Sequence, residues 1–284
     1  MEGEVVSAAE AATPGTLHIV STPIGNLGDL SPRAVEVLRG VNAILAEDTR
    51  HSRVLCDRFE IRTPLVAYHE HNEASATPGF VARLVAGESF ALISDAGTPL
   101  LSDPGARLVR AAIDAGITVS PVPGASALLA ALAASGLAAD RFTFFGFLER
   151  KGGDRKRGIA EIAALRHTAV LYESPNRTAT TLSDLAAVGA GTREAVVARE
   201  LTKQYEEFRR GTVAELAAYY EQHEPRGEIV IVIAGAVDAP LDEVALRARA
   251  DALRAEGATA RDIQHALAAA GAPRNLAYRL AHGS

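Results

Sequence analysis

Short apolar runs that stop at Gly- and Pro-bearing turns recur through the first half of the chain. Residues 17–20 (LHIV), 41–45 (VNAIL), 91–93 (ALI) and 117–119 (ITV) are each brief enough for strands of a buried parallel sheet. Between them the apolar spacing turns helical. Leu108, Val109, Ala112 and Ile113 share one face with Gly116 as a stop, and Ser31-Pro32 supplies an N-cap and a first helical residue. In the second half, FTFFGFL, TAVLYES, EAVVARE and EIVIVIAG read as four further strands, rich in β-branched or aromatic residues. Helical patterns at 180–190 and 212–222 lie between them. From Leu241 onward the pattern is wholly helical, and EGATARDIQHALAAAGAPRNLAYRLAH has the look of a helix, a glycine turn and a helix. The expected fold class is α/β, with two α/β lobes and a small C-terminal helical domain. The expected boundaries are a disordered tail at 1–15, lobes at 16–125 and 126–236, and helices at 237–284.

Composition narrows this picture. With 284 residues, 48% hydrophobic and 23% charged, the chain can bury one large core or two moderate ones. The most apolar stretch, 125–139, is Ala-rich and too short to cross a membrane, so it reads as a buried helix. MEGEVVSAAEAATPG carries acidic residues where a secretory signal is basic. Cys56 is the only cysteine, which excludes an intramolecular disulfide and a multi-thiolate metal site. A cytoplasmic location is expected, without membrane association.

The net charge of −6 is awkward for a nucleic-acid partner, yet charge is unevenly placed. In ERKGGDRKRG, Arg150, Lys151, Arg155, Lys156 and Arg157 outnumber Glu149 and Asp154, a local +3. This reads as a mobile basic loop, either a solvated linker or a contact for RNA phosphates.

Chemistry concentrates in SDAGTPLLSDPG, where a predicted strand ends. Ligands of parallel sheets sit beyond the carboxyl ends of the strands. Asp95 offers a fixed acceptor, Gly97 lets backbone approach a ligand, and Thr98-Pro99 stiffens the turn beyond it. Asp95 alternatively caps its own turn. Neither G-x-G-x-x-G after a strand nor G-x-x-x-x-G-K-[ST] occurs, so NAD and ATP are not the expected ligands.

Seven motifs stand in order: TPIGNLGD, AEDTRHS, SDAGTPLLSDPG, VPGAS, YESPNR, RELTKQYEE and GEIVIVI. In this order the chain resembles the tetrapyrrole-methylase-like (class III) S-adenosylmethionine methyltransferases over roughly residues 16–282. AEDTRHS with SDAGTPLLSDPG and RELTK points to the branch that methylates a cytidine 2'-oxygen in the decoding region of 16S ribosomal RNA. The resemblance implies a cofactor cleft between the lobes, S-adenosyl-L-methionine as cofactor, a homodimer, and 16S rRNA within the small ribosomal subunit as partner. It carries cofactor contacts onto Pro23, Gly25, Asp95, Gly97, Thr98, Ala125 and Ser126, and onto Tyr172, Leu201 and the backbone near Gly227.

Methyl transfer to a ribose hydroxyl is an in-line displacement, so placement supplies most of the acceleration and a base assists. Glu47, Asp48 and Lys203 are the ranked catalytic residues. Lys203 either contacts phosphate or acts as a base, if burial lowers its pKa. AEDTRHS is either a self-satisfied ion-pair network or a nucleotide-orienting cluster, with Arg50 and His51 as RNA contacts. His69, His71 and Glu73 lack a remote ligand partner, so no metal is expected. The C-terminal helices are a packing domain or an RNA reader, with Arg274, Asn275, Tyr278 and Arg279 as the face to test. Two other classes remain open: a methylase acting on a small tetrapyrrole-like acid, and a non-catalytic RNA-binding factor on the same fold.

Overall fold

The computed structural model describes residues 13–236 and 243–283, so residues 1–12 of the expected tail lie outside the described residues. The chain divides into two compact units, Met1–Gly235 and Ala236–Ser284.

The larger unit holds two five-stranded sheets. The first is all parallel, in the order β3-β2-β4-β1-β5, with β1 Thr16–Val20, β2 Ala43–Ala46, β3 Leu65–Ala67, β4 Phe90–Ile93 and β5 Thr118–Val122. Every residue of β2 and β4 is buried, as expected for strands covered on both faces. Helices α1 (Pro32–Gly40) and α2 (Thr49–Arg58) cover one face through Leu38, Leu55 and Cys56. Helices α3 (Glu73–Val85) and α4 (Ala106–Asp114) cover the other through Phe80, Leu84 and Leu108. Ser31 Oγ accepts from the Ala34 amide at 3.1 Å, the N-cap that the Ser-Pro pair announces. Two departures from expectation reflect position in the sheet. The strand expected at 117–119 runs on to Val122 through Pro121, which an edge strand tolerates. The other edge, three-residue β3, is too short to leave a periodic signal.

The second sheet is mixed, in the order β6-β7-β10-β8-β9: β6 Phe142–Phe147, β7 Thr168–Glu173, β8 Glu194–Arg199, β9 Glu207–Thr212 and β10 Ile229–Ile233. Only β6 and β7 pair in parallel. The apolar alternation of β10 serves two cores. Ile229, Ile231 and Ile233 face helices α6 (Gly152–Ala164), α7 (Pro175–Leu185) and α8 (Val213–Gln222), while Val230 and Val232 face α5 (Ala127–Ser135). Ile24 and Leu101 of the first lobe join that second core, so one apolar cluster spans both lobes. The sequence predicts four strands here, and β9 is the fifth. Its sequence EFRRGT lacks an apolar period because it is an edge strand dressed with ion pairs.

The basic segment also differs from expectation. Residues 152–158 are not a mobile loop but the first turns of α6.

The C-terminal unit contains α9 (Glu243–Ala255), α10 (Ala260–Ala269) and α11 (Arg274–His282) around Leu246, Ile263, Leu267, Leu276 and Leu280. Thr259 and Asp262 close a reciprocal capping box on α10. Among the described residues no helix is long and apolar enough to cross a membrane.

Candidate functional site: a cleft rimmed by strand-end loops

Three loops meet at the carboxyl end of the parallel sheet. After β1, Thr22 exchanges backbone hydrogen bonds with Gly97: the Thr22 amide donates at 2.8 Å and the Gly97 amide returns one at 3.1 Å. The Thr22 hydroxyl donates to the Ser94 carbonyl at 3.2 Å. Gly97 needs its φ of +83°, a conformation a side chain would strain. The third loop is tied in by Thr98, whose hydroxyl donates to the Ala125 carbonyl at 3.2 Å and lies 3.0 Å from Ser21 Oγ. Gly97, Thr98 and Ala125 thus form one hydrogen-bonded floor. Pro23, Gly25, Asp95 and His51 line an adjoining cavity of about 270 Å³.

Asp95 is a brace rather than a cap for its own turn. Its Oδ1 accepts from the Asp48 amide at 3.1 Å, joining the loops after β4 and β2. Around it lie two partly buried carboxylates. Burial, and then the charges of Asp95 and Asp103, push the Glu47 carboxyl above its ordinary value. Burial likewise raises Asp103, with a hydrogen bond from Ser94 opposing it. Asp103 reads from sequence only as a turn residue. Its burial comes from the double turn of SDAGTPLLSDPG, with Leu100 and Ser102 at φ of 77° and 71°, which folds residue 103 back toward Asp95.

The second lobe contributes the loop between β8 and β9. Gly25 stands so near it that a Cβ would fall 2.5 Å from Lys203 Cγ and 3.0 Å from the Leu201 carbonyl oxygen, so only glycine permits this approach. Leu201 is buried with Ile24 in the shared core. Tyr172 packs edge-on to Phe144, ring centroids 4.9 Å apart. Ser126 Oγ and Thr202 Oγ1 are buried without a hydrogen-bond partner among the described residues. Unpaired buried hydroxyls are costly, and a polar ligand in the cleft would satisfy them.

Several sequence expectations change here. Lys203 is not a lowered-pKa base. Its Nζ donates at 2.9 Å to both Glu200 Oε1 and Glu228 Oε2, and although burial pulls it down, those bonds outweigh burial and raise it. Asp48 is the N-cap of α2, accepting from the Arg50 amide at 2.8 Å, and Arg50 forks onto both its oxygens. Those bonds hold Asp48 well below the usual carboxylate range, which makes it a poor proton acceptor. Gly227 lies against the Glu200 side chain and does not line the cavity that holds Asp95. Arg155 is not an RNA contact: it is buried, with Nη2 donating to Asp184 at 2.7 Å and to Thr181 Oγ1 at 3.1 Å. Arg157 pairs with Asp154, whereas Lys151 and Lys156 are exposed. In the C-terminal unit Arg274, Asn275, Tyr278 and Arg279 are all exposed, with Arg279 3.8 Å from Glu243. Among the described residues no group of three or more His, Cys, Asp or Glu is placed to hold a metal.

A parallel sheet and a mixed sheet, sharing a core and framing strand-end loops, define the class of fold. The model of the tetrapyrrole (corrin/porphyrin) methylases matches residues 16–217, and the chain belongs to that family. Within it, the chain is 54% identical over 229 residues to ribosomal RNA small subunit methyltransferase I of Xylella fastidiosa, covering 80% of this chain and 84% of the relative. The protein of the same name in Pseudomonas aeruginosa is 47% identical over 273 residues, 94% and 96% of the two chains. Among solved structures, uroporphyrin-III C-methyltransferase of Thermus thermophilus with S-adenosylhomocysteine superposes with a TM-score of 0.57 at 19% identity. That match covers 78% of this chain and 97% of the other, a likeness of fold.

Proposed function

We propose that this protein transfers the methyl group of S-adenosylmethionine to the 2'-oxygen of a cytidine in small-subunit ribosomal RNA. The observation that carries the reading is the 47% identity spanning 94% of this chain and 96% of a relative named for that RNA. The cleft suits the cofactor. Asp95 offers a carboxylate to ammonium or ribose hydroxyls, Gly97 and Ala125 form the hydrogen-bonded floor beneath it, and Ser126 and Thr202 hold unspent hydroxyls. Tyr172 and Leu201 close the second-lobe side. When bound, the cofactor supplies an activated methyl group on a sulfonium.

Glu47 is the residue we assign to removing the ribose proton. Its raised pKa makes it a stronger base than an ordinary glutamate once ionised, and among the described residues it has no ion pair. Lys203 and Asp48 position: one holds Glu200 and Glu228 together, the other caps α2. Arg50, His51, Arg150, Lys151, Lys156, Arg157, Arg274 and Arg279 are exposed polar or basic groups that suit RNA phosphates. In this reading residues 16–125 and 126–236 are the lobes and 237–284 the helical domain. The chain works as a homodimer on the small subunit in the cytoplasm.

The deciding experiment incubates the protein with methyl-labelled S-adenosylmethionine and small ribosomal subunits from a strain lacking the activity. Nuclease mapping and mass spectrometry then locate the label. Label on a cytidine 2'-oxygen is expected. Absence of label with cofactor binding intact overturns the reading, in favour of a small tetrapyrrole-like acid or a non-catalytic role.

A further inference from the structure

A larger cavity, of about 610 Å³, opens on the second lobe, lined by Phe147, Glu149, Arg150, Ser174, Asn176 and Arg177 among others. None of the first-lobe loop residues line it. Strand β6 loses register with β7 between Phe144 and Phe147, and this irregularity leaves Phe147 57% exposed at the strand's end. One side of the ring is braced by Tyr172, centroids 5.5 Å apart, which in turn packs on Phe144. A rigidly backed, exposed aromatic face beside a cavity is unusual for a solvated edge strand and is well suited to stacking.

The polar groups around it divide into spent and unspent. Arg177 is spent: it pairs with the buried Glu173 at 3.3 Å and donates to the carbonyls of Leu148 at 2.7 Å and Glu149 at 3.3 Å, so it builds the wall. Asn176 Oδ1 accepts from Ser174 Oγ at 2.9 Å, which leaves the amide nitrogen to donate. Arg150 is exposed and has no ion pair among the described residues, and the Glu149 carboxylate is likewise unpaired. One aromatic face, one unpaired guanidinium, one amide donor and one carboxylate acceptor match the parts of a nucleotide: a base plane, a phosphate and a hydrogen-bonding edge.

We infer that this cavity seats one unpaired nucleotide of the RNA, its base stacked on Phe147, its phosphate at Arg150 and its edge read by Asn176 and Glu149. The inference deepens the methyltransferase reading and rests on it. Tyr172, which the proposed cofactor site also uses, packs directly on Phe147, so the two sites share one ring contact. Stacking on Phe147 needs a base outside a duplex, so the site selects single-stranded or opened RNA over paired RNA.

The test uses the full-length protein and a short single-stranded oligoribonucleotide carrying one 2-aminopurine, compared with the same oligomer annealed to its complement. Phe147→Leu, which keeps the packing on Tyr172 but removes the π face, should weaken single-strand binding about tenfold or more, and Phe147→Trp should restore it. Arg150→Gln should lower the salt slope by about one. Cofactor affinity by calorimetry and thermal stability should not move in either variant. Single-strand affinity unchanged in Phe147→Leu overturns the inference, as does an equal loss for duplex. Methyl transfer separates the two readings. If the wild type labels small subunits and Phe147→Leu keeps its KM, this cavity is not the RNA subsite. If the wild type labels nothing but Phe147→Leu loses single-strand binding, the subsite stands and the reaction fails.

Discussion

Two pairs of carboxylates, one on each bank of the cleft, are treated in opposite ways, while Asp48, next to Glu47, pairs with Arg50. On the first-lobe bank, Glu47 and Asp103 are partly buried near Asp95 without an ion pair among the described residues, and both are pushed up. On the second-lobe bank the carboxylates flanking the β8–β9 loop have partners. Glu200 receives Lys203, and Glu207 receives Arg199 at 2.7 Å and Arg209 at 2.9 Å, and both are pulled down. The difference comes from architecture. Loops after parallel strands turn their side chains inward over the sheet end, whereas the edge strand β9 lays long side chains across its neighbour, where Arg and Glu meet. In the proposed reaction Glu47 takes the proton, and the paired carboxylates of the second-lobe bank are a strut bracing the loop that carries Leu201 and Thr202.

The sharpest way to break this comparison is Glu47→Gln. It should lower kcat for methyl transfer by about a hundredfold or more, the scale of general-base catalysis, with cofactor affinity retained. A loss under about threefold would move the base elsewhere. Because Glu47 must be ionised to accept a proton, the acid limb of the wild-type rate profile should lie above the ordinary glutamate range.

Lys203→Met tests the strut. It leaves two carboxylates without their cation and should cost about 1–2 kcal/mol in chemical denaturation, while kcat falls less than about tenfold and the alkaline limb keeps its position. Disappearance of the alkaline limb would reinstate Lys203 as a titrating catalytic group.

A comparable loss of stability, about 2 kcal/mol, is expected for Arg155→Ala, which strips Asp184 and Thr181 of a buried partner, with the salt slope of RNA binding unaltered. Lys156→Gln should do the reverse, leaving stability intact and reducing that slope by about one.

The smallest effect contrasts the banks through pH. A carboxyl raised in the folded state contributes stability below its unfolded value of 3.8, and that contribution is lost as pH rises through the native value. Asp103→Asn should therefore raise Tm at neutral pH by a few degrees, and the gain should vanish in acid, below that unfolded value. Glu207 is lowered, so its contribution is present above 4.5 and lost as pH falls through the native value. Glu207→Gln should lower Tm at neutral pH, with the gap closing in acid. Two shifts of the same sign would end the distinction between the banks.

Much of the scaffold is legible in the chain, because central strands and their stops are local signals. The runs at 17–20, 41–45 and 91–93 predict to within a residue where three strands end, the run at 117–119 stops three residues short of Val122, and Ser31-Pro32 predicts where a helix begins. The loops that meet in the cleft derive from those stops, as does the grouping of Pro23, Gly25 and Asp95 about one cavity. Edge elements are where the reading fails. β3 is too short and β9 too polar to show a period, and the basic run at 149–158 looks like a loop because its helix begins with two glycines.

The chain by itself determined the family, the sheet-and-loop order and the side chains available at each loop, since these depend on neighbours in sequence. Which of those side chains are spent and which are free was decided by the tertiary structure. Lys203 meets Glu228 across 25 positions, Arg155 meets Asp184 across 29, and the Asp48 amide meets Asp95 across 47. Protonation and pairing depend on burial and on charges brought close through space, and no local pattern encodes distances that only the closed fold creates.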